Sequence, residues 1–137
     1  MGIFNLFGKR DVSEELTKGL PYKIATEWVP YRLYSNRSSS CTLHVRIRNV
    51  SKEVLLTSVV AELPNNLAFE PMGISKEREV RVGELMPNEE RDVKIEVHSN
   101  LNSDPGEYTL NLTAIAHYRN YGSILNAMKK RVTVSVV

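Results

Sequence analysis

From Tyr22 to the C-terminus, apolar side chains recur at every second position in short runs. In CTLHVRIRN, Leu43, Val45 and Ile47 alternate with His44, Arg46 and Arg48. In RDVKIEVH, Val93, Ile95 and Val97 alternate with Asp92, Lys94, Glu96 and His98. Successive side chains of a strand point to opposite faces, so each run predicts a strand with one buried side. EYTLNLTAIAHY places Tyr108, Leu110, Leu112, Ala114 and Ala116 on one side, and KRVTVSVV does the same with Val132, Val134 and Val136. VLLTSVVAEL directs Leu55, Val59, Ala61 and Leu63 inward, although its other side is also partly apolar. An opening strand within Tyr22 to Leu33, interrupted by Pro30, and a short one around EVRVGEL complete about seven strands.

Strands that each bury one face need a second sheet to cover them, and a two-layer antiparallel β-sandwich is the economical solution. A helical period would scatter the β-branched residues around a cylinder instead of gathering them on one side. The expected fold is therefore all-β, an immunoglobulin-like sandwich spanning residues 22–137. Residues 1–21 differ in texture and predict an N-terminal arm. DVSEELTKGLP reads as a short helix, with Asp11 or Ser13 as N-cap and Gly19 and Pro21 as stop signals.

The segment SDPGEY has a specific architectural meaning. Pro105 fixes φ and Gly106 tolerates backbone angles that other residues avoid, so the chain can change sheets in a tight turn. Tyr108 then buries its ring while its hydroxyl reaches back to backbone, as in a tyrosine corner. With RIRNVSKEVLLTSVVAELPNNLAFEP, VRVGELMPNEERDVKIEV and DPGEYTLNLTAIAHYRN, the stretch from Arg46 to Val137 resembles the immunoglobulin-like modules of the CARDB and NEW3 type found in archaeal and bacterial proteins. The resemblance lies in turn and corner signatures: an N-x-S strand end, P-x-x-L-x-F, G-x-L-x-P-x-E and G-x-Y. It implies a fold and no particular chemistry.

Composition narrows the function classes further. Eighteen Lys and Arg against sixteen Asp and Glu give a net charge of only +2, which is not the clustered basic footprint of a nucleic-acid binder. The single cysteine, Cys41, forms no internal disulfide framework. No secretory signal or membrane-spanning run is legible, so a cytoplasmic location is expected. The sequons at Asn36, Asn49 and Asn111 are read as chance.

Candidate chemistry is sparse. Cys41 shares the inward parity of Leu43 while His44 points outward, so the two do not form a nucleophile and base. His44 and His98 share an outward face, but two imidazoles fall short of a zinc site, and His117 belongs to the other sheet. No phosphate loop, dinucleotide fingerprint or nucleophile elbow occurs. No catalytic residue, cofactor or metal is expected.

Surface patterning points to binding. The outward face of the sheet carrying CTLHVRIRN and RDVKIEVH mixes both signs of charge and reads as solvated surface. The other sheet exposes Leu56, Ser58 and Val60, then Thr109, Asn111, Thr113 and Ile115, then Thr133 and Ser135, with hardly a charge. Charge depletion marks interface centres. Beside it the connection HYRNYGSILNA gathers Tyr118, Arg119, Tyr121 and Ile124, including the Tyr and Arg types that dominate interface energies. The expected function is a non-catalytic protein–protein module. Its contact residues are Val60, Asn111, Thr113, Ile115, Tyr118, Arg119, Tyr121 and Ile124, and its partner is either unidentified or a second copy of the chain. The N-terminal arm folding back over the same face competes with that reading. A second alternative is a structural or membrane-peripheral element tethered by Ile3, Phe4, Leu6 and Phe7 of the arm.

Overall fold

The computed structural model describes residues 20–137. Apart from its last two residues, the arm expected to be helical lies outside them. The order is β1 (Tyr22–Val29), β2 (Arg32–Leu33), β3 (Ser39–Asn49), β4 (Leu55–Glu62), β5 (Glu77–Leu85), β6 (Glu90–Ser99), β7 (Gly106–His117) and β8 (Ile124–Val136). Two sheets form, one ordered β1-β3-β6 and the other β2-β8-β7-β4-β5. Pairing is antiparallel except between β2 and β8. This is an immunoglobulin-like sandwich. Among the described residues no helix is long and apolar enough to cross a membrane.

The expected opening strand becomes two because of Pro30. Proline has no N–H to give a ladder, so pairing with β3 stops at Val29. The chain then crosses to the other sheet, where Arg32 and Leu33 pair with Ser135 and Val136. Trp28 ties the crossing down by donating its indole N–H to the Thr133 carbonyl at 2.9 Å.

The alternating residues meet between the sheets. Leu43, Val45, Ile47, Ile95 and Val97 face Leu110, Leu112, Val59, Ala61 and Val134, all almost fully buried. Tyr22 joins this core, and its hydroxyl lies 2.6 Å from the Thr57 hydroxyl of the opposite sheet. Cys41 is buried as its parity requires, and the loss of hydration pushes its thiol up to about 12. His44 points away from it.

Three loop devices close the ends. Tyr108 donates its hydroxyl to the Asp104 carbonyl at 2.7 Å, which completes the tyrosine corner expected from SDPGEY. Asn49, fully buried at the end of β3, is a hub. Its side-chain amide donates to the carbonyls of Glu53 at 2.7 Å and Leu85 at 2.8 Å, while its oxygen accepts from the Ser51 N–H at 2.9 Å. A residue so enclosed carries no glycan in the folded chain. Glu70 organises the β4–β5 loop by accepting the backbone N–H groups of Met72, Ile74 and Ser75 at 3.0, 2.6 and 2.8 Å. Those bonds, Ser75 first, hold its carboxyl below the usual range.

Two outcomes follow. Asn49→Asp keeps the shape of the hub but cannot donate, so it leaves two carbonyls unpaired. A loss of about 3 kcal/mol is expected, seen as a fall in Tm on the order of 10 °C by circular dichroism. For Glu70, the folded-state carboxyl titrates below the unfolded one. Its contribution is present above the ordinary 4.5 and disappears as pH falls through the folded value. Glu70→Gln is therefore expected to be less stable than wild type at pH 7 and to lose less on acidification, measured by urea denaturation across the acid range.

Candidate functional site

The outward side of the five-stranded sheet is laid out by register. β7 contributes Asn111, Thr113 and Ile115, opposed on β4 by Glu62, Val60 and Ser58, and on β8 by Arg131, Lys129 and Ala127. β5 adds Glu77, Glu79 and Arg81 opposite Glu62, Val60 and Ser58. Val60, Thr113 and Ile115 are half-buried and Asn111 is exposed, so four of the expected contact residues do share one surface.

The expectation of a nearly uncharged face holds for its centre and fails at its margins. Lys129 and Arg131 line one side; Glu62, Glu77 and Glu79 line the other, where Arg81 lies 3.6 Å from Glu79. Arg131 lies within the run whose alternation is clear, on the outward side with Thr133 and Ser135, whereas Lys129 was missed because β8 begins at Ile124, six residues before that run. Its first half, ILNAMK, extends beyond the core and is mostly exposed on both sides, so no burial pattern marks it. The acidic margin was hidden by a bulge: pairing on β5 skips Val82, where Gly83 adopts φ +96°, and this sets which of its residues face outward.

The long connection expected between Tyr118 and Ile124 is consequently a tight turn over residues 118–123. The Tyr118 N–H donates to the Ser123 carbonyl at 2.9 Å, and the Ser123 N–H donates to the Asn120 carbonyl at 3.2 Å. Arg119 takes a left-handed φ of +71° and stacks on the Tyr118 ring at 4.9 Å. Tyr118, Arg119 and Ile124 are exposed at the rim. Tyr121 instead folds back onto the face, its ring meeting His117 edge-on at 5.0 Å, with the Arg81 guanidinium 4.7 Å above it.

Beneath Tyr121 lies a polar pair that sequence reasoning did not find. The Ser58 hydroxyl is hydrogen-bonded to His117 Nε2 at 2.7 Å, and both residues are buried. His117 Nδ1 is enclosed without a partner among the described residues. The pairing was invisible because outward parity normally means exposure, and only the turn over the face buries these two. The Ser58 hydroxyl holds the imidazole on which the Tyr121 ring packs, so the pair acts as an anchor for the turn.

Elsewhere the surface is of a different kind. On the three-stranded sheet Arg46 pairs with Asp92 at 3.1 Å, which is the solvated ion-pair ladder expected there. His98 is opposite Ser40, and His44 opposite Lys94, so the two imidazoles are not cross-strand partners. At the end opposite the Tyr121 turn, Arg32 lies over the rings of Tyr31 and Tyr34 at 5.3 and 6.0 Å, and Arg37 over Tyr34 at 4.3 Å. A nearby open cleft of about 580 Å³ runs between Asn65, Met72, Asn100 and Leu101. This stack sits where the chain leaves one sheet for the other, and alternation carries no signal at such a crossing.

Removing the serine hydroxyl leaves both nitrogens of a buried imidazole without protein partners. Ser58→Ala is expected to cost about 2 kcal/mol, and a double-mutant cycle with His117→Ala should return about 1 kcal/mol of coupling by urea denaturation.

No family model matches the chain, and no curated protein matches it. Similar solved structures include the Y1175G mutant of Salmonella alpha-2-macroglobulin, 17% identical over 85% of this chain with a TM-score of 0.57. Another is Escherichia coli alpha-2-macroglobulin in its native conformation, 18% identical over 83% of this chain with a TM-score of 0.53. The chain spans 7% and 6% of those much longer proteins, and at such identities the likeness is one of fold.

Proposed function

We propose that this chain is a non-catalytic protein–protein interaction module that binds through the outward face of its five-stranded sheet, and that it is a variant of the CARDB-type immunoglobulin-like module. The observation that carries this reading is the face itself. Val60, Asn111, Thr113 and Ile115 form an uncharged centre, and no described segment covers it apart from the Tyr121 corner. Interfaces are depleted of charge at the centre and enriched in Tyr and Arg; Tyr118 and Arg119 stand at this rim, and Tyr121 lies on the face itself.

The reactive groups argue for binding rather than catalysis. Cys41 is a buried thiol, and a thiolate is what nucleophilic work requires. Ser58 and His117 are buried and hydrogen-bonded to each other, with the Tyr121 ring packed on the imidazole.

Thr113→Arg places a long cation at the centre of the face and leaves the core untouched, so stability is expected to stay within about 0.5 kcal/mol of wild type. Complexes retained by tagged full-length chain, followed by sedimentation and mass spectrometry, are expected to dissociate in this variant and to persist in Lys94→Glu on the opposite sheet. Identical complexes in Thr113→Arg and wild type would remove the face from consideration.

A further inference from the structure

We infer that the occupant of this face is a second copy of the chain, stacked sheet on sheet about a two-fold axis that runs parallel to the strands between β7 and β4. The inference rests on the reading of the face as an interface and adds its partner and symmetry. It comes from the order of charges across the strands. One row reads Lys129, Thr113, Val60, Glu79 from β8 to β5, and the next reads Arg131, Asn111, Glu62, Glu77. Both rows are basic at one end and acidic at the other; the first is neutral in the middle, and in the second the acidic half already begins at Glu62.

Within one chain the basic end on β8 does not neutralise the acidic end on β5, although Arg81 of the next row lies 3.6 Å from Glu79. Neighbouring strands are about 4.8 Å apart, so β8 and β5 are separated by about 14 Å, beyond the screening length of about 8 Å at physiological salt. Neither Lys129 nor Arg131 makes an ion pair with another described residue, and Glu62 sits directly opposite Glu77, a like-charge cross-strand pair that destabilises an isolated sheet. The pattern is costly alone and complementary to its own image.

Two symmetric ways of stacking the face on itself exist, and the charges choose between them. An axis across the strands lays β8 on β8 and β5 on β5, so like charges meet. An axis along the strands reverses left and right while keeping each row in place. Lys129 then faces Glu79 of the other copy, Arg131 faces Glu77, Asn111 faces Glu62, and Thr113 faces Val60. Packed sheets lie about 10 Å apart, a gap that Lys, Arg and Glu side chains can bridge from both sides. The footprint is about 20 by 25 Å per copy, at the low end for specific complexes, so a dissociation constant in the micromolar range is expected.

The test uses the full chain and two charge-reversed variants, K129E/R131E and E77K/E79K, in sedimentation equilibrium from about 5 to 500 µM. Wild type is expected to dimerise. Each variant alone is expected to dimerise at least tenfold more weakly, because its altered margin meets a like-charged one. An equimolar mixture should regain association to within about threefold of wild type, since both contacts of the mixed pair are then attractive. That recovery also demonstrates that both variants are folded. A wild-type monomer at the highest concentration, undiminished dimerisation of both variants, or no association in the mixture would overturn the inference. If wild type is monomeric while Thr113→Arg still strips a different protein from the chain, the face remains an interface and only the second copy is excluded.

Discussion

The mutual burial of two rows of side chains, Leu43 to Ile47 with Ile95 and Val97 on one sheet against Leu110 and Leu112 with Val59 and Val134 on the other, is the constraint from which the rest follows. A one-residue slip in any of these strands would turn its apolar row to water and its charged row to the core, so register is fixed by the interior. The polar groups admitted between the sheets are held to the same standard. Tyr22 reaches Thr57 across the gap, and Trp28 finds a carbonyl of β8. The end loops then need only satisfy the backbone that the strands leave open, which Asn49, Glu70 and Tyr108 do by hydrogen bonds to carbonyls or N–H groups.

Because the interior sets which residues face out, the two outer faces are free to differ, and they do. On the three-stranded sheet opposite charges are cross-strand neighbours, as with Arg46 and Asp92, and each neutralises the next at short range. On the five-stranded sheet Lys129 and Arg131 lie on β8 and Glu77, Glu79 and Arg81 on β5, with Val60, Thr113 and Ile115 uncharged between them. There Glu62 faces Glu77 across the β4–β5 ladder, and among the described residues only Glu79 has a cation beside it, Arg81 at 3.6 Å.

What could be read in the sequence tracks how strongly burial marked it. The inward positions of β3, β6 and β7 were legible because one face is wholly enclosed. The tyrosine corner was legible because Pro105, Gly106 and Tyr108 each have one good structural use. The start of β8 was not, since Ile124 to Lys129 pair through backbone without being buried. Nor was the facing of β5, which depends on a bulge at Val82 and Gly83. The eight residues expected to make contact divide the same way. Val60, Asn111, Thr113 and Ile115 fall together because they lie on regular strands, whereas Tyr121 leaves the rim to cover His117 and the Ser58–His117 pair emerges only from the fold. The charges of Lys129 and Glu79, which give the face its polarity, belonged to the segments where alternation was silent.

Three borders of the sandwich are blunted against backbone pairing with another chain. An exposed edge strand invites pairing with another chain, and β5 is long enough to do so. Here the Arg91 guanidinium donates to the Val82 carbonyl at 2.7 Å, occupying an acceptor that an added strand would need, while Gly83 and the bulge bend the ladder. The opposite border of the same sheet is β2, only two residues long. On the other sheet β6 is partly covered where Ala68 bridges His98. Side-by-side growth is thus disfavoured at β5, β2 and β6, whereas β1, the other border of the three-stranded sheet, pairs with β3 alone and ends where Pro30 supplies no N–H.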